Sequence, residues 1–412
     1  MSNSTTLLRI SIANFNRLRL MHLLSLTKHK RLLSRLKPLN TSIYPDKLTN
    51  NRGISYLMQF QLLDHRMSAL KSIRFATLNL LNYAAPPYSF YQLHERYNAT
   101  QWRQKQQFIA NFLQQSQATV VAFQEVFSPK QLEIVCKEQG YDYFATVANP
   151  RSDNLYPQVL FNPVVAIAAK VPFQHCQELT PCPELLEYLN NQNEFKFNRT
   201  PIKCHFDIPG FGELACYVVH FKSQRVHSMA HMLNIHNQDD PLLNLLQQTV
   251  GMMQSQISRS LEASIVYYDA LKTQREKNCA TLVMGDFNDN IQSPALSFMT
   301  QGFHPTRCEP CLELEQPIVG LTDAFELSSE AIAGKVKPVT HYYKGRGNVL
   351  DYILVSGHFN TDCVLSRVQS LRYLSFDSHL NPEQIDEDIC VSDHSAIGIE
   401  IAFNSNDARI LG

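Results

Sequence analysis

The chain has 412 residues, 44% of them hydrophobic and 18% charged, and its 37 Lys/Arg are balanced by 37 Asp/Glu. Those are globular proportions with enough chain for a large core, and no run of eighteen uninterrupted apolar residues is present, which excludes an ordinary transmembrane helix. The ten cysteines are scattered among apolar stretches, which excludes a disulfide scaffold and points to a reducing, cytoplasmic setting.

The zero net charge is an average of two unlike parts. Residues 1–66 hold eleven Lys/Arg and two Asp/Glu, leaving 26 basic and 35 acidic residues, a formal charge of −9, for 67–412. Up to about Asn51 the leader is rich in Arg, Lys, Leu, Ser and Asn, with Asp46 its sole acid, a composition that suits a transit peptide or a disordered tail. It makes a poor secretory signal, because Arg19 and His22 interrupt its longest apolar stretch, Leu18 to Leu26. A true start at Met58 or Met67 is the competing reading.

From Ser72 onward, short apolar runs alternate with amphipathic stretches, the pattern of an α/β protein with buried strands. Ile73 to Leu81 reads as a strand. Trp102 to Ser116 reads as a helix with Trp102, Phe108, Ile109, Phe112 and Leu113 on one face, and Thr119 to Phe123 as the next strand. Further strands are expected at Val164 to Ala168, Ile202 to Ile208, Glu213 to Val219, Ala280 to Met284, Val349 to Val355 and Ser395 to Ile401. Leu242 to Lys272 has helical spacing without Pro and reads as one long helix or two. His227 and His231 precede it four residues apart, but solvated histidines explain them without a carboxylate at matching spacing. The lone CxxC, Cys308 to Cys311, has no second pair at zinc-site distance and reads as loop cysteines. Trp102, the only tryptophan, reads as a core anchor.

Several apolar runs end in residues that a strand interior disfavours. Asn79 interrupts Phe75 to Leu81, Glu125 follows Val120 to Gln124, and His220 follows Tyr217 to Val219. Asp286 and Asn288 follow Leu282 to Gly285, Asp351 follows Leu350, and Asp393 with His394 precedes the last strand. Each has an ordinary explanation taken singly: a backbone partner for Asn79, a lysine for Glu125, a satisfied buried histidine at 220, a helix or turn cap at Asp286. Together they need a metal or hydrogen-bonded partners, because an isolated buried carboxylate costs several kcal/mol, and a shared divalent cation would meet that need.

These residues resemble the endonuclease/exonuclease/phosphatase superfamily, which includes pancreatic-type deoxyribonucleases, abasic-site endonucleases, neutral sphingomyelinases and inositol polyphosphate phosphatases. The carriers are Ala76-Thr77-Leu78-Asn79, Phe123-Gln124-Glu125-Val126, Phe197-Asn198-Arg199-Thr200-Pro201, Val219-His220-Phe221-Lys222-Ser223, Gly285-Asp286-Phe287-Asn288-Asp289, Leu350-Asp351-Tyr352-Ile353-Leu354 and Ser392-Asp393-His394-Ser395. The resemblance spans roughly Ser72 to Phe403. It implies an α/β fold of two mixed β-sheets packed as a sandwich with outer helices, four layers in all. With the basic leader over 1–66 set apart by its composition, it implies one catalytic domain over 67–412 with a helical insertion near 223–278.

The implied chemistry is metal-dependent phosphodiester hydrolysis. Glu125, Asn79 and Asp393 are the expected metal residues, for Mg²⁺ or alternatively Mn²⁺. His394 is the expected general base, oriented by Asp351, with Asp286 positioning the water and His220 with Asn288 stabilising charge on the phosphoryl oxygens. Arg199 and Lys222 are expected on the substrate phosphate. Nucleic acid is the first expected substrate; a lipid or small phosphoester, as for a sphingomyelinase or inositol phosphatase, is the alternative, mildly favoured by the acidic body. Tyr343-Lys344-Gly345-Arg346-Gly347 reads as a turn that faces substrate or merely solvent. An inactive binding module is the weaker third reading, since no central residue is missing. Oligomeric state is not fixed by the sequence.

Overall fold

The structure is a computed structural model and describes residues 70–188, 195–224, 240–301, 320–380 and 391–404. All fall in the second of the chain's two units, Asp64–Gly412. The leader, His227, His231 and His236, and the Cys308/Cys311 pair lie outside the described residues.

In chain order the elements begin β1 (Leu70–Tyr83), β2 (Ser89–Phe90), α1 (Ala99–Ser116), β3 (Val120–Val126), α2 (Pro129–Glu138), β4 (Tyr143–Ala145), β5 (Arg151–Ser152), β6 (Val159–Phe161), β7 (Val164–Ala169) and β8 (Phe173–Glu178). After α3 (Pro183–Tyr188) come β9 (Ile202–Ile208), β10 (Gly212–His220), α4 (Pro241–Lys277), β11 (Ala280–Asp286), β12 (Thr322–Asp323) and α5 (Ser329–Ile332). The hairpin β13 (His341–Tyr343) and β14 (Arg346–Asn348) precedes β15 (Asp351–Val355), β16 (Ser370–Phe376) and β17 (Ala396–Asn404).

Two six-stranded mixed sheets dominate, ordered β16-β17-β1-β3-β7-β4 and β12-β15-β11-β10-β9-β8. Each has one parallel pair whose strands are joined through a helix: β1 and β3 through α1, β10 and β11 through α4. The period-two alternation of strand side chains sorts the apolar residues into layers. Ile73 and Phe75 of β1, Leu282 and Met284 of β11, and Cys216 and Val218 of β10 meet in the core between the sheets. Ala76, Leu78 and Leu80 point the other way, against Ile109, Phe112 and Leu113 of α1 and Leu132 and Val135 of α2. Tyr217, Val219 and Val283 face Ala263, Ile265, Val266 and Ala270 of α4. Helix, sheet, sheet, helix is therefore the four-layer sandwich expected.

α1 starts where Asn98 caps the amides of Thr100 and Gln101 and ends at Gln117 in the left-handed region. Trp102 packs on the Tyr83 ring at 4.8 Å, as a core anchor does. α4 is one helix of 37 residues, about 55 Å long at 1.5 Å per residue. Its second half is part of the outer layer over β10 and β11, so it is not merely an appended insertion. Its first half leaves Leu242, Leu245, Leu246, Met252, Met253 and Ile257 exposed. No helix among the described residues is long and apolar enough to cross a membrane.

Cys176 on β8 and Cys204 on β9 face each other in the ladder and are joined as a disulfide, with Cα atoms 4.1 Å apart. Their scatter along the sequence argued for reduced thiols throughout, and strand register, which spacing does not reveal, overrides it for this pair. Cys136, Cys216, Cys279 and Cys363 are free thiols.

Candidate active site

The site is the polar end of the core between the sheets. On β1 the inward row runs Ile73, Phe75, Thr77, Asn79; on β10 it is Leu214, Cys216, Val218, His220; on β11 it is Ala280, Leu282, Met284, Asp286. On β15 Asp351 continues the row of Ile353 and Val355. Each polar residue thus holds the place that strand parity gives to the next core side chain. The ladder pairs His220 with Asp286 and Asp286 with Asp351, so the three stand abreast across the second sheet.

That alignment requires Gly285. A Cβ there would lie 1.9 Å from the Val219 carbonyl oxygen, and its φ of +149° is one that L side chains rarely adopt. Only glycine lets β10 and β11 run this close beside the site.

Glu125 has the wrong parity for the inter-sheet face and reaches the site through an irregularity. β3 shifts register against both β1 and β7 at this point, and Glu125 has φ +61°. A non-glycine residue in the left-handed region costs on the order of 1 kcal/mol or more and persists where surrounding contacts impose it. Here the Asn82 amide donates to Glu125 Oε2 at 2.8 Å, and Asn79 Nδ2 lies 3.5 Å from Oε1. Asn79 Nδ2 also donates to Asp286 Oδ2 at 3.0 Å, and its Oδ1 accepts from Leu81 N at 3.0 Å. Asn79 is therefore a clamp linking the carboxylates of the two sheets.

His394 Nδ1 lies 2.8 Å from Asp351 Oδ2, also across the two sheets. Its Nε2 is 4.0 Å from both Asp286 Oδ2 and Asp393 Oδ1. Burial opposes charge on His394, but Asp351 and then Asp286 prevail and hold its pKa well above the ordinary value. His220, whose Nε2 is 3.4 Å from Asp286 Oδ2, goes the opposite way: burial, with the charges of Arg199, His394 and Lys222, holds it well below. Burial pushes Asp286 up to about 7, with Asp351 and Glu125 adding to it against His394. For Asp393, burial is outweighed by His341 and His394, which hold it down to about 2.

Arg199 and Lys222 flank this centre on the second sheet. Arg199 Nη1 is 3.5 Å from the Phe221 carbonyl, which also accepts from Asn288 Nδ2 at 2.9 Å. Asn288, in the left-handed region at φ +56°, donates its amide to Asp286 Oδ1 at 2.8 Å. All ten residues singled out in the sequence thus belong to one end of the sandwich or to the backbone that frames it.

Other residues build the site without having stood out in the sequence. Buried Glu262 of α4 accepts from Asn198 N, Asn198 Nδ2 and Lys222 N at 2.8, 2.8 and 2.7 Å. One turn earlier, Arg259 donates to the Lys222 carbonyl at 2.9 Å and to Asp289 at 2.7 Å. Thr340 Oγ1 accepts from the amides of Leu350 and Asp351, and Ser392 Oγ donates to the Asn79 carbonyl at 2.7 Å. The only sequence signal for Glu262 and Arg259 is a charge pair on an otherwise apolar helix face.

The donor set suits a hard divalent cation. Glu125, Asp286 and Asp351 crowd carboxylate oxygens together, Asp351 Oδ1 is buried without a hydrogen-bond partner, and Asp393 is partly exposed beside them. Asp286, Asp351 and His394 each bring a ligand atom within 4.8 Å of the others.

The model of the Endonuclease/Exonuclease/phosphatase family matches residues 76–394, and the chain belongs to that family of phosphoesterase hydrolases, whose members generally use divalent metals. Among solved structures, the chain resembles the human Nocturnin catalytic domain with bound sulfate at 13% identity and TM-score 0.47, covering 81% of this chain and 94% of that one. It resembles truncated TDP2 of Caenorhabditis elegans at 11% identity and TM-score 0.46, covering 80% and 97%, and a humanized D. rerio TDP2 at 13% and 0.44, covering 81% and 99%. No curated protein matches the chain.

Proposed function

We propose that the chain is a divalent-metal-dependent phosphodiester hydrolase acting on nucleic acid. The observation that carries the reading is the Asp351–His394 pair, 2.8 Å apart, with Nε2 turned toward Asp286 and Asp393. Asp351 accepts the Nδ1 proton and fixes the tautomer in which Nε2 receives a proton from the attacking water. Asp286 orients that water. His220, kept neutral by burial, and Asn288 stabilise charge developing on the phosphoryl oxygens, while Arg199 and Lys222 bind the phosphate.

Glu125 and Asp393 are the proposed Mg²⁺ ligands, with Mn²⁺ accepted by the same oxygens, and Asn79 orients Glu125 through its amide. When bound, the cation polarises the phosphate and offsets the carboxylate charge around His394.

The hairpin β13–β14 favours nucleic acid. It is rooted at His341, which bridges to His394, and it exposes Tyr343 with Lys344 5.2 Å from that ring and Arg346 beside it. An aromatic face among cations suits stacked bases and phosphates. The exposed apolar stripe on α4 supports the second reading, a lipid phosphodiester, because it offers a surface for an apolar aggregate.

The test is purified protein with Mg²⁺ or Mn²⁺ against single- and double-stranded DNA, RNA, sphingomyelin and an inositol phosphate. Chelator-sensitive cleavage of nucleic acid is expected, with Glu125→Ala, Asp286→Ala and His394→Ala each losing on the order of a hundredfold or more. Hydrolysis of lipid alone would reverse the substrate assignment, and chelator-resistant turnover or a fully active His394→Ala would reject the mechanism.

A further inference from the structure

His341 has no role in the chemistry above, yet the fold places it against the reacting groups. It opens β13 one residue after Thr340, which fixes the Asp351 amide. An isolated backbone bridge pairs it with His394, and the two imidazoles are tilted against each other, 4.7 Å between centroids and 45° between planes. Asp393 completes the group: its Oδ2 is 3.7 Å from His341 Nε2, and its Oδ1 is 4.0 Å from His394 Nε2. One ligand atom from each of the three lies within 4.8 Å of the other two. His341 Nδ1 is buried without a hydrogen-bond partner, so Nε2, which faces Asp393, is the nitrogen open to a ligand.

We propose that His341, Asp393 and His394 form a site for a borderline transition-metal ion, Zn²⁺ being the best match, and that occupying it shuts the enzyme off. Two imidazole nitrogens and one carboxylate oxygen form the three-protein-ligand set of an open tetrahedral zinc site, whereas Mg²⁺ selects oxygen ligands. Bonds of about 2.0–2.1 Å set tetrahedral ligand atoms about 3.3 Å apart. With one ligand atom from each residue lying within 4.8 Å of the other two, the set needs to close by up to about 1.5 Å. The side chains of His341 and Asp393 keep 16% and 31% of their exposure, so these two supply the movement while buried His394 stays on Asp351.

The shut-off rests on the reading of His394 as the base and Asp393 as a Mg²⁺ ligand. A metal on His394 Nε2 occupies the lone pair that receives the water's proton, and it withdraws Asp393 at the same time. The metal site itself does not depend on that reading, and the two parts are tested separately.

In the first arm, metal-free full-length protein is titrated with Co²⁺, whose visible d–d bands report tetrahedral coordination. One equivalent with tetrahedral absorption is expected, lost in His341→Gln and in Asp393→Asn while circular dichroism and thermal melting stay as in the wild type. In the second, hydrolysis in Mg²⁺ is followed as Zn²⁺ is added. The wild type should be inhibited, and His341→Gln, read against its own rate in Mg²⁺ alone, should need roughly a hundredfold more Zn²⁺ for the same fractional inhibition. Absence of tetrahedral Co²⁺ absorption, or its survival in His341→Gln, overturns the site. Loss of the Co²⁺ signal with undiminished Zn²⁺ inhibition in His341→Gln overturns the shut-off. If the protein hydrolyses none of the substrates offered, the phosphodiester reading fails and the Co²⁺ arm still decides the site.

Discussion

Replacing Gly285 by Ala tests how tightly strand spacing and site are joined. The added Cβ would meet the Val219 carbonyl oxygen at 1.9 Å and its carbon at 2.9 Å, and both are backbone atoms of a paired strand that no rotamer change relieves. Reaching an ordinary contact requires β10 and β11 to part by about 1.5 Å from a spacing of about 4.8 Å. That breaks roughly two ladder hydrogen bonds at about 1 kcal/mol each, adds about 1–3 kcal/mol of overpacking, and leaves alanine in disfavoured backbone at φ +149°. The expected loss is about 4–6 kcal/mol, a large share of the roughly 5–15 kcal/mol typical of a folded domain. Urea unfolding should show the midpoint falling by about 1–2 M for a slope near 3 kcal/mol/M. Because His220 and Asp286 sit one position further along the same pair, activity in the surviving folded fraction should fall as well. A variant with the wild-type midpoint and turnover would refute the claim that this contact sets the strand spacing.

Asp351→Asn keeps the shape but loses the charge that fixes the His394 tautomer. Turnover should drop about 10³- to 10⁴-fold with the melting temperature retained, and since Asp351 raises the His394 pKa, the acid limb of any residual pH–rate profile should move to lower pH; a drop under tenfold would count against the dyad. Glu262→Ala strands three donors from Asn198 and Lys222, so a loss of about 2–4 kcal/mol and a raised KM are expected, with Glu262→Gln intermediate; an unchanged KM would separate α4 from substrate binding. Burial, then the Arg367 charge, pushes His358 down to about 4, below the unfolded value of about 6.5, so its stabilising contribution is complete above pH 6.5 and is lost as pH falls toward 4. Between pH 7.5 and 4 the wild type should lose about 3 kcal/mol more than His358→Gln in chemical unfolding, and parallel losses would contradict a buried neutral imidazole.

The sequence is most legible where a strong period meets a clear end. β9 occupies Ile202–Ile208 as expected, and α4 extends the expected Leu242 to Lys272 only to Pro241–Lys277. β8 and β16 escaped notice. β8 is a largely exposed edge, and β16 interleaves Leu371 and Tyr373 with Ser370 and Arg372 in an alternation too short to stand out. α2 escaped too, although Pro129 marks its first turn. Within the site, Asn79, His220, Asp286 and Asp351 were visible because each breaks an apolar row in phase with its strand. His341, Glu262 and Arg259 were not, because their partners lie 30 to 64 residues away and only the folded ladder brings them together.

The first sheet has a consequence for the order in which the molecule becomes active during synthesis. β17, the last described strand, inserts between β16 and β1, and Asp393 and His394 lie just ahead of it. A nascent chain that has already made Glu125, His220, Asp286 and Asp351 therefore still lacks a completed centre and the strand that seals β1. Asp393 and His394 reach Asp351 and Asp286 only once β17 has left the ribosome and slotted beside β1, so completing the centre and completing the first sheet are one folding event.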